Sequence, residues 1–475
     1  MTNKKFYITA AIPYVNAKPH IGHALEFVQV NTIARYHELL GEEVLSLSGG
    51  DENALKNVQA AEEAKVPTQE FVDKNTELFR QLAIKLNAEF GIWQKGSDKE
   101  KHYPSAQKLW RLCAKDIRKE KYEGLYCVGC ETFYSPDELN EKGECYEHPG
   151  KKLETVSEEN YFFALSKYQD QLIKLIQSDE LKVLPGTRKN EVLSFLSQPL
   201  LDISVSRTNE RAKNWGVPVP DDNKQRIYVW FDALNIYQSG VGFGWDEKKY
   251  KKWWPADVHV IGKGIIRFHA IYWPAFLLSA KLPLPKSILV HGYFTVGGQK
   301  MSKTLGNVID PIDLIEKYGT DALRYYLLAK FSPFTDGDFS EEKLKDAYNG
   351  ELANGLGNLV SRVGKLCENS GFEFPKNKPL QLDSSVEKAL ANCRFDEAFK
   401  KIFETFVSKL DISINAKEPW KLKGKELEKF LTETISVIRN LALNLRPFLP
   451  ETAAKIEKQF SGPNIKAEKP LFPRL

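Results

Sequence analysis

Apolar positions along the chain change their period twice, and those changes divide it. From Phe6 to Ile12 the residues form an apolar run that Pro13 breaks, which reads as a strand and a turn. Ile21, Leu25, Val28 and Leu39 then recur at helical spacing. Strand and helix signals go on alternating to about Lys115, which predicts the first half of an open parallel sheet. The alternation lapses and resumes near Arg226 to Trp230 and again from Val258 to Lys263, so the stretch between reads as an insertion into a nucleotide-binding fold. Beyond about residue 350 strand signals fade and amphipathic helical periodicity takes over, with Gly371, Pro375 and Pro379 marking a loop between helices. A C-terminal helical bundle is expected there. No internal repeat or low-complexity tract interrupts the pattern.

At 475 residues and 54.2 kDa the chain exceeds the size at which one core usually stays intact, so several domains are expected. With 67 basic against 63 acidic residues, the net charge of +4 does not announce a nucleic-acid binder, and any RNA surface must come from local patches. The N-terminus enters a strand without an apolar leader, and no run approaches the roughly eighteen apolar residues of a membrane span. A cytoplasmic protein with no membrane partner is expected.

Two short segments carry phosphate chemistry. His20-Ile21-Gly22-His23 stands where the first strand passes into the first helix. A helix N-terminus concentrates free amide donors and partial positive charge, so imidazoles there can meet phosphate oxygens. Gly22 is expected to let a nucleotide approach the backbone. Val296-Gly297-Gly298-Gln299-Lys300-Met301-Ser302-Lys303 places two ammonium groups on a glycine-hinged loop. In-line attack at an α-phosphate builds charge on its non-bridging oxygens and on departing pyrophosphate, which such a loop can stabilise. Alone, either segment is weak evidence; together, in this order, they predict nucleotidyl transfer from ATP, with magnesium accompanying the nucleotide.

Three of the six cysteines cluster. Cys127 and Cys130, followed by Cys145 and His148, have the spacing of a closed tetrahedral zinc site with one structural metal per chain. Cys113, Cys367 and Cys393 read as buried apolar residues.

The chain resembles the class I aminoacyl-tRNA synthetases, and among them the methionyl-tRNA synthetases. The resemblance runs almost end to end. It rests on Ala11-Ile12-Pro13-Tyr14 ahead of His20 to His23, on Tyr228-Val229-Trp230-Phe231-Asp232-Ala233, on Phe268 to Pro274, and on Gly297 to Lys303. It implies a Rossmann-type α/β catalytic domain in two halves, 1–115 and 227–293. Between them lies a connective insertion, 116–226, bearing the zinc knuckle. After them come a loop and stem-contact region, 294–350, and an anticodon-binding helical bundle, 351–475.

The implied reaction joins methionine to ATP, giving methionyl adenylate and pyrophosphate, then moves the acyl group to initiator and elongator methionine tRNA. A monomer is expected. By resemblance His20, Gly22, His23, Lys300 and Lys303 hold ATP, and Arg207 assists activation. Asp51 holds the substrate ammonium, while Ala11, Ile12, Tyr14, Trp230, Ala233, Tyr237 and His269 form a thioether pocket. Asn358, Arg362 and Trp420 read the anticodon.

Two departures stand out. Asp51-Glu52-Asn53-Ala54 replaces the usual Asp-Glu-His-Gly, and Gly262-Lys263-Gly264-Ile265 lacks the usual aspartate. Three other readings stay open on sequence: another class I synthetase, a nucleotidyltransferase without tRNA, and a degenerate synthetase kept as a methionine-binding protein. The run Lys248 to Trp254 reads as a solvated lysine face with tryptophans packed beneath, and Asp336 to Ser340 as a turn and helix cap.

Overall fold

A computed structural model describes residues 4–127, 132–134, 138–146, 150–301, 306–375 and 380–475, with the backbone alone for residues 122, 132 and 133. The chain forms two compact units. The first gathers Met1–Pro19, Gly41–Gln81 and Phe90–His291; the second gathers His20–Leu40, Leu82–Glu89 and Gly292–Leu475.

The first unit is built on a six-stranded sheet. In chain order its strands are Lys5–Ala10 (β1), Glu43–Gly50 (β2), Ile92–Lys95 (β3), Lys182–Leu184 (β4), Val258–Gly262 (β5) and Ser287–His291 (β6). They lie side by side as β3-β2-β1-β5-β6-β4, every neighbouring pair parallel. A parallel sheet covered on both faces needs apolar residues on both, and β1 is buried from Phe6 to Ala10 without alternation. Strand order reverses at β1, which pairs with β2 through Ile8 and Ser46 and with β5 through Ile8 and Val258. Ligands of open α/β sheets bind beyond the carboxyl ends of strands at such a reversal. The segments leaving β1 and β2 there carry Ala11 to Tyr14 and Asp51.

The stretch 116–226 forms its own antiparallel sheet, in which Ile117–Cys127 and Glu154–Phe163 pair from Ile117 opposite Phe163 to Tyr126 opposite Glu154. It is not wholly an insertion, however. Lys182–Leu184 returns to the edge of the central sheet, with Val183 opposite Ile288. Three residues are too few to show a period, so this strand left no signal in the sequence. Aromatic edges knit the core: Trp110 meets Phe231 at 5.6 Å and Phe163 meets Phe276 at 5.0 Å between centroids. Such pairs add about 0.5–1.5 kcal/mol each beyond area burial.

The second unit holds the helix Ile21–Leu39, a small sheet containing the Phe294–Val296 and Gln299–Lys300 hairpin, and a helical bundle. Helix Phe395–Ile402 buries Phe395, Ala398, Phe399 and Ile402, the i, i+3, i+4, i+7 set that makes one continuous apolar stripe. Phe399 seats on Tyr325 and on Phe448, with centroids 5.1 and 4.6 Å away. Among the described residues no helix is long and apolar enough to cross a membrane.

Candidate active site

In the first unit the residues selected for a methionine pocket do converge. Tyr14 forms an isolated parallel bridge with Asp51, whose amide donates to the Pro13 carbonyl at 2.9 Å. Asp51 is 2% exposed. Trp230 meets the edge of Tyr14 at 6.2 Å and stacks flat on Phe268 at 3.7 Å, with His269 edge-on at 6.4 Å. The Trp230 indole nitrogen is buried with no hydrogen-bond partner among the described residues. Ala11 and Ala233 are buried, and Ile12, next to Ala11 in sequence, is half-buried and packs on the core that includes Ala11. Phe268, which no sequence argument singled out, stacks on the Trp230 indole and joins this cluster.

His269 sits below. Its Nδ1 lies 2.9 Å from the Ile265 carbonyl, which only accepts, so the proton is on Nδ1 and Nε2 receives the Tyr237 hydroxyl at 2.8 Å. Burial lowers the ring's pKa to about 4 and holds it neutral.

The departures at residues 51–54 have a physical account. Glu52 is fully buried yet satisfied, accepting from Thr76 Oγ1 at 2.5 Å and from Ser97 N and Oγ at 3.0 and 2.5 Å. Asn53 donates Nδ2 to the Gly96 carbonyl and to Asp232 Oδ2, each at 2.7 Å. Asp232 Oδ1 in turn bonds His102 Nε2, whose Nδ1 lies 2.8 Å from Ser239 Oγ. Asn53 thus anchors a buried polar chain that runs through Asp232 and His102 to Ser239. Sequence reasoning missed Asp232 and His102, because residues 130 apart give no local signal.

Arg207 is buried at 7% exposure, and an ordinary surface ion pair does not describe it. It donates to Ser204 Oγ at 2.8 Å and to the Ser206 carbonyl at 2.7 Å, and its guanidinium lies over Tyr228 at 4.5 Å and Tyr126 at 5.2 Å. Cys127 and Cys145 are buried with their Sγ atoms 3.5 Å apart. Cys130 and His148 lie outside the described residues. Among the described residues no group of three or more potential ligands gathers. Cys113 and Cys367 are buried as expected; Cys393 is only half-buried, in a turn with φ of 54°.

In the second unit His20 caps the helix Ile21–Leu39. Gly22 N donates to His20 Nδ1 at 3.0 Å, and His20 N donates to His23 Nδ1 at 3.1 Å, a reciprocal capping box. Both Nδ1 atoms therefore accept from backbone, which leaves each neutral ring's proton on Nε2. Burial lowers the His20 pKa to about 4, so this tautomer holds at neutral pH. The rings lie 4.0 Å apart. A Cβ on Gly22 would fall 2.9 Å from His20 Cε1, so glycine is needed here by the His20 cap itself, a reason the sequence did not suggest.

The expected glycine hinge is a two-residue hairpin. Gly297 and Gly298 have φ of 60° and 73°, as a type I′ turn demands, and Thr295 faces Lys300 across it. Asp338 Oδ1 accepts from Gly298 N at 2.8 Å and from Thr295 Oγ1 at 2.6 Å, while Ser340 caps the next helix by accepting from Lys343 N. These two hydrogen bonds hold the Asp338 carboxyl below its ordinary range. Lys303 lies outside the described residues.

Farther along this unit, Arg362 and Trp420 come together, the guanidinium 5.3 Å from the indole centroid and 3.1 Å from Asp411. Trp420 is 55% exposed, and Asn358, four residues before Arg362, is exposed at the start of the same helix. Lys248 to Trp254 form a helical turn with Trp254 buried and donating to the Pro283 carbonyl, as the solvated-face reading expected.

Known proteins are similar to this chain in sequence and fold. The family described as tRNA synthetases class I (M) matches residues 6–364. A methionine--tRNA ligase of Brucella suis is 38% identical, covering 100% of this chain and 98% of its own, and one of Thermotoga maritima is 40% identical, covering 96% and 75%. Mycobacterium tuberculosis methionyl-tRNA synthetase in complex with methionyl-adenylate superposes with a TM-score of 0.91 at 34% identity, over 99% of this chain and 100% of that one. The apo form of that enzyme gives 0.83 at 31% identity, over 100% and 98%. Matched by that family over residues 6–364 and similar to these relatives over nearly its whole length, the chain belongs to the class I tRNA synthetases of the methionine type.

Proposed function

We propose that the protein activates methionine with ATP and transfers it to methionine tRNA, initiator and elongator alike. A methionine carboxylate oxygen attacks the α-phosphorus of ATP, the bond to the bridging oxygen breaks, and pyrophosphate leaves. A ribose hydroxyl at the 3′ end of the tRNA then attacks the acyl carbon, and AMP leaves. No covalent bond to the protein forms, so positioning and electrostatics supply the rate.

The observation that carries this reading is the tautomer of the His20 and His23 pair: two neutral rings at a helix N-terminus with their protons on Nε2. They donate to phosphate oxygens without bringing charge that must be desolvated. Gly22 lies between them in the nucleotide site, and Lys300 and Lys303 neutralise the triphosphate, with magnesium supplying charge to the bound ATP. Asp51 holds the methionine ammonium, and Arg207 assists activation. Ala11, Ile12, Tyr14, Trp230, Ala233, Tyr237 and His269 surround the thioether, whose polarisable sulfur suits aromatic faces. Asn358 and Arg362 read anticodon base edges and Trp420 stacks a base, which its exposed indole favours.

Zinc is the metal proposed for Cys127, Cys130, Cys145 and His148. Two sulfurs 3.5 Å apart match the separation of about 3.8 Å that thiolates take at about 2.3 Å from tetrahedral zinc. Bound there, zinc staples the end of the Ile117–Cys127 strand and takes no part in the chemistry. The working division is a catalytic domain in two halves, 1–115 and 227–293, a connective region 116–226, a stem-contact region 294–350 and an anticodon bundle 351–475, in a monomeric cytoplasmic protein.

Methionine-dependent exchange of pyrophosphate into ATP, without tRNA, tests the proposal. Lys303→Ala should depress exchange by the two or more orders of magnitude that about 2.7–4 kcal/mol of lost transition-state stabilisation implies. Methionine affinity without ATP should stay unchanged. Methionine binding with no exchange in the unsubstituted protein would favour a binding protein instead.

A further inference from the structure

Among the described residues Arg324 is the largest charged side chain that is fully buried, and the chemistry above does not use it. It sits in helix Thr320–Ala329, and no carboxylate neutralises it at salt-bridge distance among the described contacts. Three carbonyls hold it instead: Phe448 from Nε at 2.6 Å, Leu86 from Nη1 at 2.9 Å and Pro447 from Nη2 at 3.1 Å. Leu86 follows the C-terminus of helix Thr68–Lys85, and Pro447 and Phe448 follow that of helix Gly424–Leu445. A guanidinium at two helix C-termini lies where their dipoles favour a cation.

One turn earlier Asp321 does the converse. Its Oδ2 accepts from Thr452 N at 2.6 Å, in the first turn of helix Pro450–Gln459, where the dipole favours an anion. Further bonds converge on the same corner. Thr320 Oγ1 donates to the Lys85 carbonyl at 2.9 Å, and Asn87 Nδ2 to Glu451 at 2.7 Å. Arg35 Nη2 donates to the Asn87 carbonyl at 3.2 Å. Arg35 belongs to the helix whose other end is capped by His20. Apolar side chains could fill this corner without desolvating a charge, whereas a fork with three directed donors specifies a single arrangement of the segments it joins.

We propose that Arg324 and Asp321 form a charged joint that sets the bundle carrying Asn358, Arg362 and Trp420 against the helix carrying His20 and His23, making Arg324 a positioning residue for tRNA charging. This rests on the anticodon and phosphate assignments above. Asn358, Arg362 and Trp420 meet only tRNA in that reading, so the joint serves the tRNA-dependent step. Its loss separates the two half-reactions.

Arg324→Lys keeps the charge and removes the fork. Expected are exchange without tRNA within about twofold of the unsubstituted protein, kcat/KM for methionine tRNA charging at least tenfold lower, and the same split in Asp321→Asn. Because both substitutions cut the same connection, Arg324→Lys combined with Trp420→Ala should fall little below the weaker single variant. Full multiplication of the two losses would overturn the joint, as would unaltered charging, or exchange and charging falling together in step with the melting temperature. Should Arg324→Lys fail to fold, Asp321→Asn with and without Trp420→Ala decides alone. Absence of exchange in the unsubstituted protein would instead refute the proposed function.

Discussion

Tyr237 donates its hydroxyl proton to Nε2 of His269 across 2.8 Å, because Nδ1 of that ring is already committed to the Ile265 carbonyl. One backbone oxygen thereby orients two side chains of the pocket. The bond exists only while His269 is neutral; a proton on Nε2 would turn it into a second donor facing the hydroxyl.

That requirement makes stability depend on pH. In the unfolded chain a histidine titrates near its ordinary 6.5, while buried His269 titrates at about 4. Between those values the unfolded state binds more protons, so stability falls as pH falls from about 6.5 toward 4. From pH 7 to 5 this residue alone should cost about 2 kcal/mol. Denaturant titrations should show that loss in the unsubstituted protein and a smaller one in His269→Gln. Parallel curves would mean that His269 keeps an ordinary pKa.

Gly22→Ala probes the cap. The added methyl would meet the His20 ring at 2.9 Å and push Nδ1 off the Gly22 amide. Loss of the cap costs about 0.5–2 kcal/mol of helix stability. The displaced Nε2 donor should lower exchange by at least about tenfold, within the range for an oriented donor. Methionine affinity should not move, because the pocket residues stand in the other unit. Exchange at the original rate would detach His20 from catalysis.

Cys127→Ser tests the knuckle. Elemental analysis of the unsubstituted protein should give one zinc per chain, and the variant should release it, since metal affinity and local folding are one equilibrium. Proteolysis between residues 127 and 150 should quicken in the variant, and exchange should fall only as an indirect result. Metal-free protein with full exchange would remove zinc from the account.

What could be read before the structure follows from how far each signal reaches along the chain. The unbroken apolar run of β1, the helix beginning at Ile21 and the paired glycines at 297 and 298 are local patterns, and local patterns survive in sequence. Val183 in its three-residue edge strand carries no period, so the segment around it looked like part of an insertion. Asn53, Asp232 and His102 come from three separate segments, and only the fold brings them together into one chain of hydrogen bonds. Arg207 is picked out by resemblance alone, because its burial beside Tyr126 and Tyr228, one before it and one after it along the chain, leaves no local pattern.

Trp420→Ala separates recognition from activation. Its indole is 55% exposed on a turn set by Glu418, which has φ of 44°, and the Arg362 guanidinium lies over the ring. An exposed aromatic beside a guanidinium offers a flat face to an unpaired base, and such stacking contributes about 1–3 kcal/mol. Its removal should raise the tRNA concentration needed for charging by about ten- to a hundredfold, at about 1.4 kcal/mol per decade. Exchange measured without tRNA makes no use of an anticodon reader and should stay near the original rate, and the melting temperature should barely change because little apolar area is uncovered. Steady-state charging across a range of methionine tRNA concentrations, alongside exchange without tRNA, reads both quantities. If charging is undisturbed, or if exchange drops as far as charging does, Trp420 does not read the anticodon.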